Sequence, residues 1–195
     1  MIAFINGKLV EKNPAYAVIE CSGVGYMIHI SLQTYTAIAN LGENCKLFTH
    51  LSIREDAHLL YGFAKEKERT LFRHLISVSG IGTNTARMML SAMSCEELTL
   101  AIINDNSKLL QSIKGIGLKT AQRVVIDLKD KVDKDVTNFD KFSVAHNTNK
   151  DEALFALISL GFVRTAADVA LNKIIKIDGS ELSIEELIKR ALKIL

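Results

Sequence analysis

The sequence predicts a multidomain α+β chain, a five-stranded β-barrel followed by two all-α units. Three observations carry that prediction. Apolar residues alternate with a period of two through roughly the first sixty positions, the pattern of half-buried strands. From Lys65 onward the period becomes helical. A 19-residue stretch starting at Leu75 recurs 35 positions later at Leu110 with seven identities. Two copies are too few for a solenoid, so the repeat reads as a paired device.

The segments FINGKLV, YAVIEC, YMIHIS, KLFTHLSI and HLLYGF supply the five strands. In YMIHIS, Tyr26, Ile28 and Ile30 share one face, while Met27, His29 and Ser31 share the other. KLFTHLSI repeats the alternation with Leu47, Leu51 and Ile53 on one side, and Ser-Gly-Val-Gly at 22–25 provides the turn between the second and third strands. Short strands leave edges exposed unless the sheet closes, so residues 1–64 are expected to form a small barrel.

In the helical region Leu71, Phe72, Leu75, Ile76 and Val78 form an apolar stripe, and Ser94 with Glu97 makes a capping-box pattern. Short helices with brief connections pack into a compact all-α unit, expected over 65–142. Between Asp133 and Asn149 helical periodicity fades and Asn, Thr and Asp accumulate, with Phe139, Phe142 and Val144 as apolar exceptions. This stretch reads as a linker, flexible over 143–149. Residues 150–195 signal three helices. The first, Asp151 to Leu160, ends at Gly161, and capping patterns follow at Thr165 with Asp168 and at Ser183 with Glu186. A unit with so little core is expected to serve as a docking module.

The composition is that of an ordinary globular protein, 48% hydrophobic and 24% charged over 195 residues. No apolar run approaches the roughly 18 residues that span a bilayer. The opening MIAFINGKLV has neither a basic leader nor a small-residue cleavage site, which predicts no export signal and a cytoplasmic location. Cys21, Cys45 and Cys95 are odd in number and widely spaced, as expected of idle thiols in a reducing compartment. The net charge of +2 is unevenly spread: residues 64–132 net +4, 1–63 and 133–149 net −1 each, and 150–195 are neutral. Positive charge therefore collects on the segment that holds the repeat, as suits a polyanionic partner, although a solvated surface produces the same count.

Each copy of the repeat contains Gly-Ile-Gly opening a helix: Gly80 and Gly82 in VSGIGTNTARMML, Gly115 and Gly117 in IKGIGLKTAQRVV. Backbone amides at a helix start, beside the positive end of its dipole, bind a phosphate without reading a base. Glycine leaves room for that approach and adopts positive φ cheaply. Asn84 and Arg87 follow the first turn; Lys114, Lys119, Thr120 and Arg123 surround the second. A glycine cap followed by a new helix is the plainer reading of either turn alone. The tandem copy, each followed by Thr-Ala, points instead to helix-hairpin-helix, a phosphate binder indifferent to sequence. GIGLKT lacks the first glycine of a nucleotide-binding P-loop and follows no buried strand, so nucleotide hydrolysis is not expected.

Between the fourth and fifth strands lies REDAH, with adjacent carboxylates at Glu55 and Asp56. They are either solvated turn residues or, on a surface meeting DNA, charges that repel ordinary duplex. The five histidines form no metal-ligand spacing, and His29 and His50 fall in strands. Asp127, ten residues after Gly117, sits where helix-hairpin-helix glycosylases place a carboxylate, but a solvated helix face accounts for it equally.

Together these stretches resemble the RuvA family, the bacterial subunits that bind Holliday junctions for branch migration. The resemblance runs through MIAFINGKLVEK, CSGVGYMIHIS, LSIREDAHLLYGF, both hairpin turns and DEALFALISLGF, nearly the whole chain. It implies an oligonucleotide-binding (OB-type) barrel, a tandem helix-hairpin-helix domain, a linker and a three-helix, UBA-like module. It also implies a homotetramer that holds a four-way junction open and square. Phosphate contacts would come from the amides around Gly80, Gly82, Gly115 and Gly117, helped by Lys119 and Arg123, with Glu55 and Asp56 as an acidic pin at the crossover. A RuvB-type hexameric ATPase would dock on the last 45 residues, with a RuvC-type resolvase as a further partner. No catalytic residue, metal or cofactor is implied. One departure stands out: the first turn continues Thr83-Asn84 where many relatives carry Pro-Lys, so the lysine contact is missing there and the backbone amides and the Asn84 side chain remain.

The competing expectation is a helix-hairpin-helix repair enzyme, a glycosylase or nuclease, with Asp127 as its carboxylate. A single-strand binder built on the barrel is disfavoured by 6% aromatic content without tryptophan, since such proteins stack bases on exposed rings.

Overall fold

A computed structural model of the chain describes residues 1–144, 149–178 and 182–195. These form two compact units, Met1–Val136 and Thr137–Leu195.

All five expected strands form: β1 (Phe4–Lys12), β2 (Tyr16–Cys21), β3 (Val24–Ile30), β4 (Asn44–Ile53) and β5 (His58–Phe63). They close a barrel in the order β1-β2-β3-β5-β4. Neighbours are antiparallel except β3 and β5, which run parallel through His29↔Tyr61 and Ile30↔Gly62. Ile28, Ile30 and Leu47 point inward with Leu9, Ile19 and Leu60, as their alternation requires. Ile53 does not follow Leu47: it lies at the exposed end of β4, where the strand leaves the core for the turn.

The sequence reading lacks one element, α1 (Leu32–Ala37), between β3 and β4. Ser31 caps it by accepting from the Thr34 amide at 3.0 Å. Six residues carry too little periodicity to register, and no Glu or Gln stands three residues after Ser31 to complete a capping box. The buried Glu68 of α2 (Glu66–Ser77) ties α1 down, accepting hydrogen bonds from Ser31 Oγ and, at 2.7 Å, from Thr34 Oγ1. Burial pushes its carboxyl above the ordinary range, and the two hydroxyl donors hold it back.

Four further helices follow: α3 (Thr83–Ala92), α4 (Cys95–Ile103) and α5 (Ser107–Gln111) within the larger unit, and α6 (Leu118–Val144), which runs past its end at Val136. The Ser94–Glu97 capping box forms at α4. These helices do not close a core of their own. Tyr61 and Phe63 of β5 are buried among Phe72, Leu75, Met89 and Leu90, so barrel and helices share one hydrophobic cluster. Phe72 makes the join, with ring centroids 4.9 Å from Phe63 and 5.2 Å from Tyr61.

The linker expectation is narrowed. The backbone stays helical through Val144, and α7 begins at Asn149, so residues 143, 144 and 149 of the expected linker lie in helices, while 145–148 lie outside the described residues. Asn, Thr and Asp lower helix propensity only modestly, too little to end a helix already propagating.

The smaller unit packs α7 (Asn149–Ser159), α8 (Arg164–Asp178) and α9 (Ile184–Ala191) around Leu154, Leu157, Leu171, Ile174 and Leu187. Gly161 takes φ +99° after α7, and the Gly161 and Phe162 amides donate to Ile158 and Leu157. Ser183 caps α9 by accepting from the Glu186 amide at 3.3 Å. Thr165 is not a cap, because α8 already starts at Arg164. Asp168 instead pairs with Lys150 at 2.9 Å, which holds its carboxyl below the ordinary range.

Candidate nucleic-acid interface

The two glycine turns have one backbone. In the first, the Ile81 amide donates to Val78 at 3.0 Å and Ala86 to Gly82 at 2.9 Å. In the second, Ile116 donates to Ile113 at 3.0 Å and Ala121 to Gly117 at 2.9 Å. The leading glycines, Gly80 and Gly115, take φ +93° and +90°, where a side chain is strained. Ile81 and Ile116 plug the core beneath, and Ala86 and Ala121 are fully buried.

The second glycines differ in their reason. Neither Gly82 nor Gly117 lies in the left-handed region, and nothing within 4 Å would meet a Cβ on either. Each begins the stretch of amides that precedes the first intrahelical bond. Gly82 is the N-cap of α3 and has no side chain to satisfy those amides. An open glycine followed by free amides at a helix start suits a phosphate oxygen. The hairpins are neighbours: the Arg123 guanidinium of α6 donates to the Ser79 carbonyl at 3.4 Å, and a Cβ on Gly115 would meet Met88 of α3 at 3.7 Å.

Lys114, Lys119 and Arg123 are exposed around the second turn, with Thr120 half-buried beside them. Around the first turn, Asn84 is exposed, but Arg87 is engaged: its Nη1 donates to the Ala15 carbonyl in the β1–β2 turn at 2.9 Å. Beside it His29 is held below the ordinary imidazole range by burial and by the Arg87 charge. Thr83 has its hydroxyl buried, accepting from the Tyr61 hydroxyl at 2.9 Å. Nothing in the repeat itself announces that bond, because Tyr61 lies 22 residues away on another element.

Glu55 and Asp56 are both exposed at the β4–β5 turn, which closes with Arg54 N–H donating to the Ala57 carbonyl at 2.9 Å. Asp127 is exposed on α6. Among the described residues no three His, Cys, Asp or Glu side chains converge to hold a metal ion, and no helix is long and apolar enough to cross a membrane. Burial pushes the Cys95 thiol up to about 12, so it stays protonated.

A closed five-stranded barrel sharing a core with two adjoining glycine hairpins defines the class: a β-barrel fused to a tandem helix-hairpin-helix unit. Comparison with known proteins narrows this. Residues 1–62 match the model of the RuvA N terminal domain, 72–130 that of the SAM-like helix-hairpin-helix tandem, and 148–195 that of the RuvA C-terminal domain. The Holliday junction branch migration complex subunit RuvA of Christiangramia forsetii is 52% identical over 193 residues, 99% of each chain. Those of Flavobacterium psychrophilum and Cytophaga hutchinsonii are 52% and 48% identical, again over 99% of each chain. The chain belongs to the RuvA family.

Proposed function

We propose that this chain binds four-way DNA junctions by their shape, holds them open and square as a homotetramer, and docks a RuvB-type hexameric ATPase that drives branch migration. The observation that carries the reading is the pairing, in one compact unit, of two open glycine hairpins with an exposed acidic turn, Glu55-Asp56. The hairpins grip arm phosphates through the amides around Gly80, Gly82, Gly115 and Gly117, with Lys114, Lys119, Thr120 and Arg123 adding contacts at the second and Asn84 at the first. Phosphates carry no base identity, so binding is indifferent to sequence. Four copies of the turn gather at the crossover, where their carboxylates repel continuous duplex and splayed strands pass around them.

In this division of labour, residues 1–64 form the pin and assembly surface and 65–142 the grip. Residues 150–195 form the docking module, acting in the cytoplasm with no active site of their own. A RuvC-type resolvase shares the junction. Support for docking comes from Leu160 and Val163, both exposed in the α7–α8 turn, and from Phe155 on α7, 74% exposed, an apolar surface on a unit of neutral charge. Removal of 150–195 is expected to spare junction binding and to abolish ATP-driven migration by the cognate motor; migration by the truncated protein would refute the docking role.

The pin is tested by Glu55→Gln with Asp56→Asn. Titrations of a junction and a linear duplex at two salt concentrations should show duplex affinity rising more than junction affinity. An unchanged ratio at both salts would return the pair to a solvated turn.

A further inference from the structure

The β5 strand connects the acidic turn to the first hairpin. It begins two residues after Asp56, and its Tyr61, 1% exposed, is wedged between Phe72 and His29 at ring distances of 5.2 and 5.6 Å. The Tyr61 hydroxyl donates at 2.9 Å to Thr83, the first residue of α3 and the one after Gly82. A continuous run of fixed groups therefore joins the turn to the amides of the first hairpin. Two further bonds stop α3 from pivoting about that point. Arg87 donates to the Ala15 carbonyl at 2.9 Å, and the Leu32 amide donates to Ser91 Oγ at 3.0 Å, both from α3 to the barrel or its α1 insertion.

The second hairpin has no counterpart to this bond. At the position of Thr83 it carries Leu118, 48% exposed, and Arg123 ties it to the Ser79 carbonyl of the first hairpin. Its place is thus set by its own core packing and by its neighbour, with no hydroxyl bond to the barrel strand.

We propose that Tyr61 and Thr83 are positioning residues for junction discrimination: their buried hydrogen bond sets the distance between the acidic turn and the phosphate-gripping hairpin. This rests on the junction-holding reading above. A linear duplex needs only the grip and can shift along the hairpins. A junction must place its crossover at the turn and its arms on the hairpins simultaneously, so slack between the two costs the junction more. The hydroxyl of Thr83 is what this position requires, because a residue without one has nothing to accept from Tyr61.

The test uses full-length protein and three variants, Tyr61→Phe, Thr83→Val and both together. Fluorescence anisotropy is measured with an immobile four-way junction and a linear duplex of the same arm sequence at several salt concentrations, alongside melting temperature. Each single substitution leaves one buried hydroxyl without its partner. Junction affinity is expected to fall about threefold to tenfold, with duplex affinity changed by less than about twofold. The salt slope stays unchanged, because no cation is removed from the DNA. The double variant should be no worse than the worse single, since it leaves no orphaned hydroxyl. Equal losses on both substrates, or a lowered melting temperature with an unchanged junction-to-duplex ratio, would overturn the proposal by reducing the bond to one of fold stability. A wild-type protein with no preference for the junction would instead sink the underlying reading, and that result shows before any substitution is made.

Discussion

At the first hairpin, Ile81 and Ala86 donate to the carbonyls of Val78 and Gly82; at the second, Ile116 and Ala121 donate to those of Ile113 and Gly117, with distances that agree within 0.1 Å. The surroundings diverge. Thr83 is 7% exposed and Arg87 donates to a barrel carbonyl, whereas Leu118 and Lys119 stand in solvent and Arg123, also exposed, reaches only the Ser79 carbonyl of the first hairpin. One backbone device thus occurs once as a part fastened to the barrel and once as a part that presents charge. Duplicating the turn conserves the amides, because they depend only on local φ and ψ. The residues flanking it are free to serve different neighbours.

The largest effect that would sharpen this comparison separates the two glycines within one hairpin. Gly115 sits at φ +90°, so Gly115→Val forces a β-branched residue into the left-handed region, at a cost of about 1 to 3 kcal/mol. Its melting temperature should fall, and DNA binding with it. Gly117 has ordinary φ and open space where a Cβ would go. Gly117→Val should therefore keep the wild-type melting temperature while losing on the order of tenfold in DNA affinity, because the side chain covers the amides proposed to take the phosphate. The expectation that all four glycines serve conformation and approach alike is replaced by a division, strain relief at the first and access at the second. Calorimetry and anisotropy on the two variants decide it. Equal melting temperatures for both would remove the distinction.

What was legible in the sequence follows the range of the forces involved. The five strands, the paired turns and the Ser94 and Ser183 caps depend on residues within a few positions of one another, and alternation or spacing exposes them directly. The joint core could not be read this way. Nothing in HLLYGF distinguishes Tyr61 and Phe63, which face helices, from Leu60, which faces the barrel interior, because both faces of β5 are buried. The same holds at the site. Spacing puts Arg87 beside a phosphate turn but does not show that its Nη1 also donates to the Ala15 carbonyl, 72 residues away in sequence. Thr83 looked like a lost lysine neighbour and is half of a buried hydroxyl pair. The fading periodicity after Asp133 misled for the opposite reason: helix α6 continues through Val144 although its composition favours no particular structure there.

The smallest expected effects test the comparison from the charge side. Lys119 is exposed one residue into α6, beside the free amides of the second hairpin, while Asn84 holds the matching place one residue into α3. If the second hairpin carries the ionic grip, Lys119→Ala removes one cation from the phosphates. Junction affinity then falls, and the slope of log affinity against log salt becomes shallower by about 1. Asn84→Ala removes a neutral side chain, so the loss should be smaller and the slope unchanged. Asn84→Lys is the sharper variant, because it gives the first hairpin a cation at the place that Lys119 holds in the second. It should steepen the slope by about 1 and raise affinity at low salt, with the gain vanishing as salt rises. Each outcome is read from titrations of one junction across a salt series on variants with unchanged melting temperature. Equal slopes for Lys119→Ala and Asn84→Ala would mean that Lys119 neutralises no phosphate, and that the difference in the hairpins' surroundings concerns folding alone.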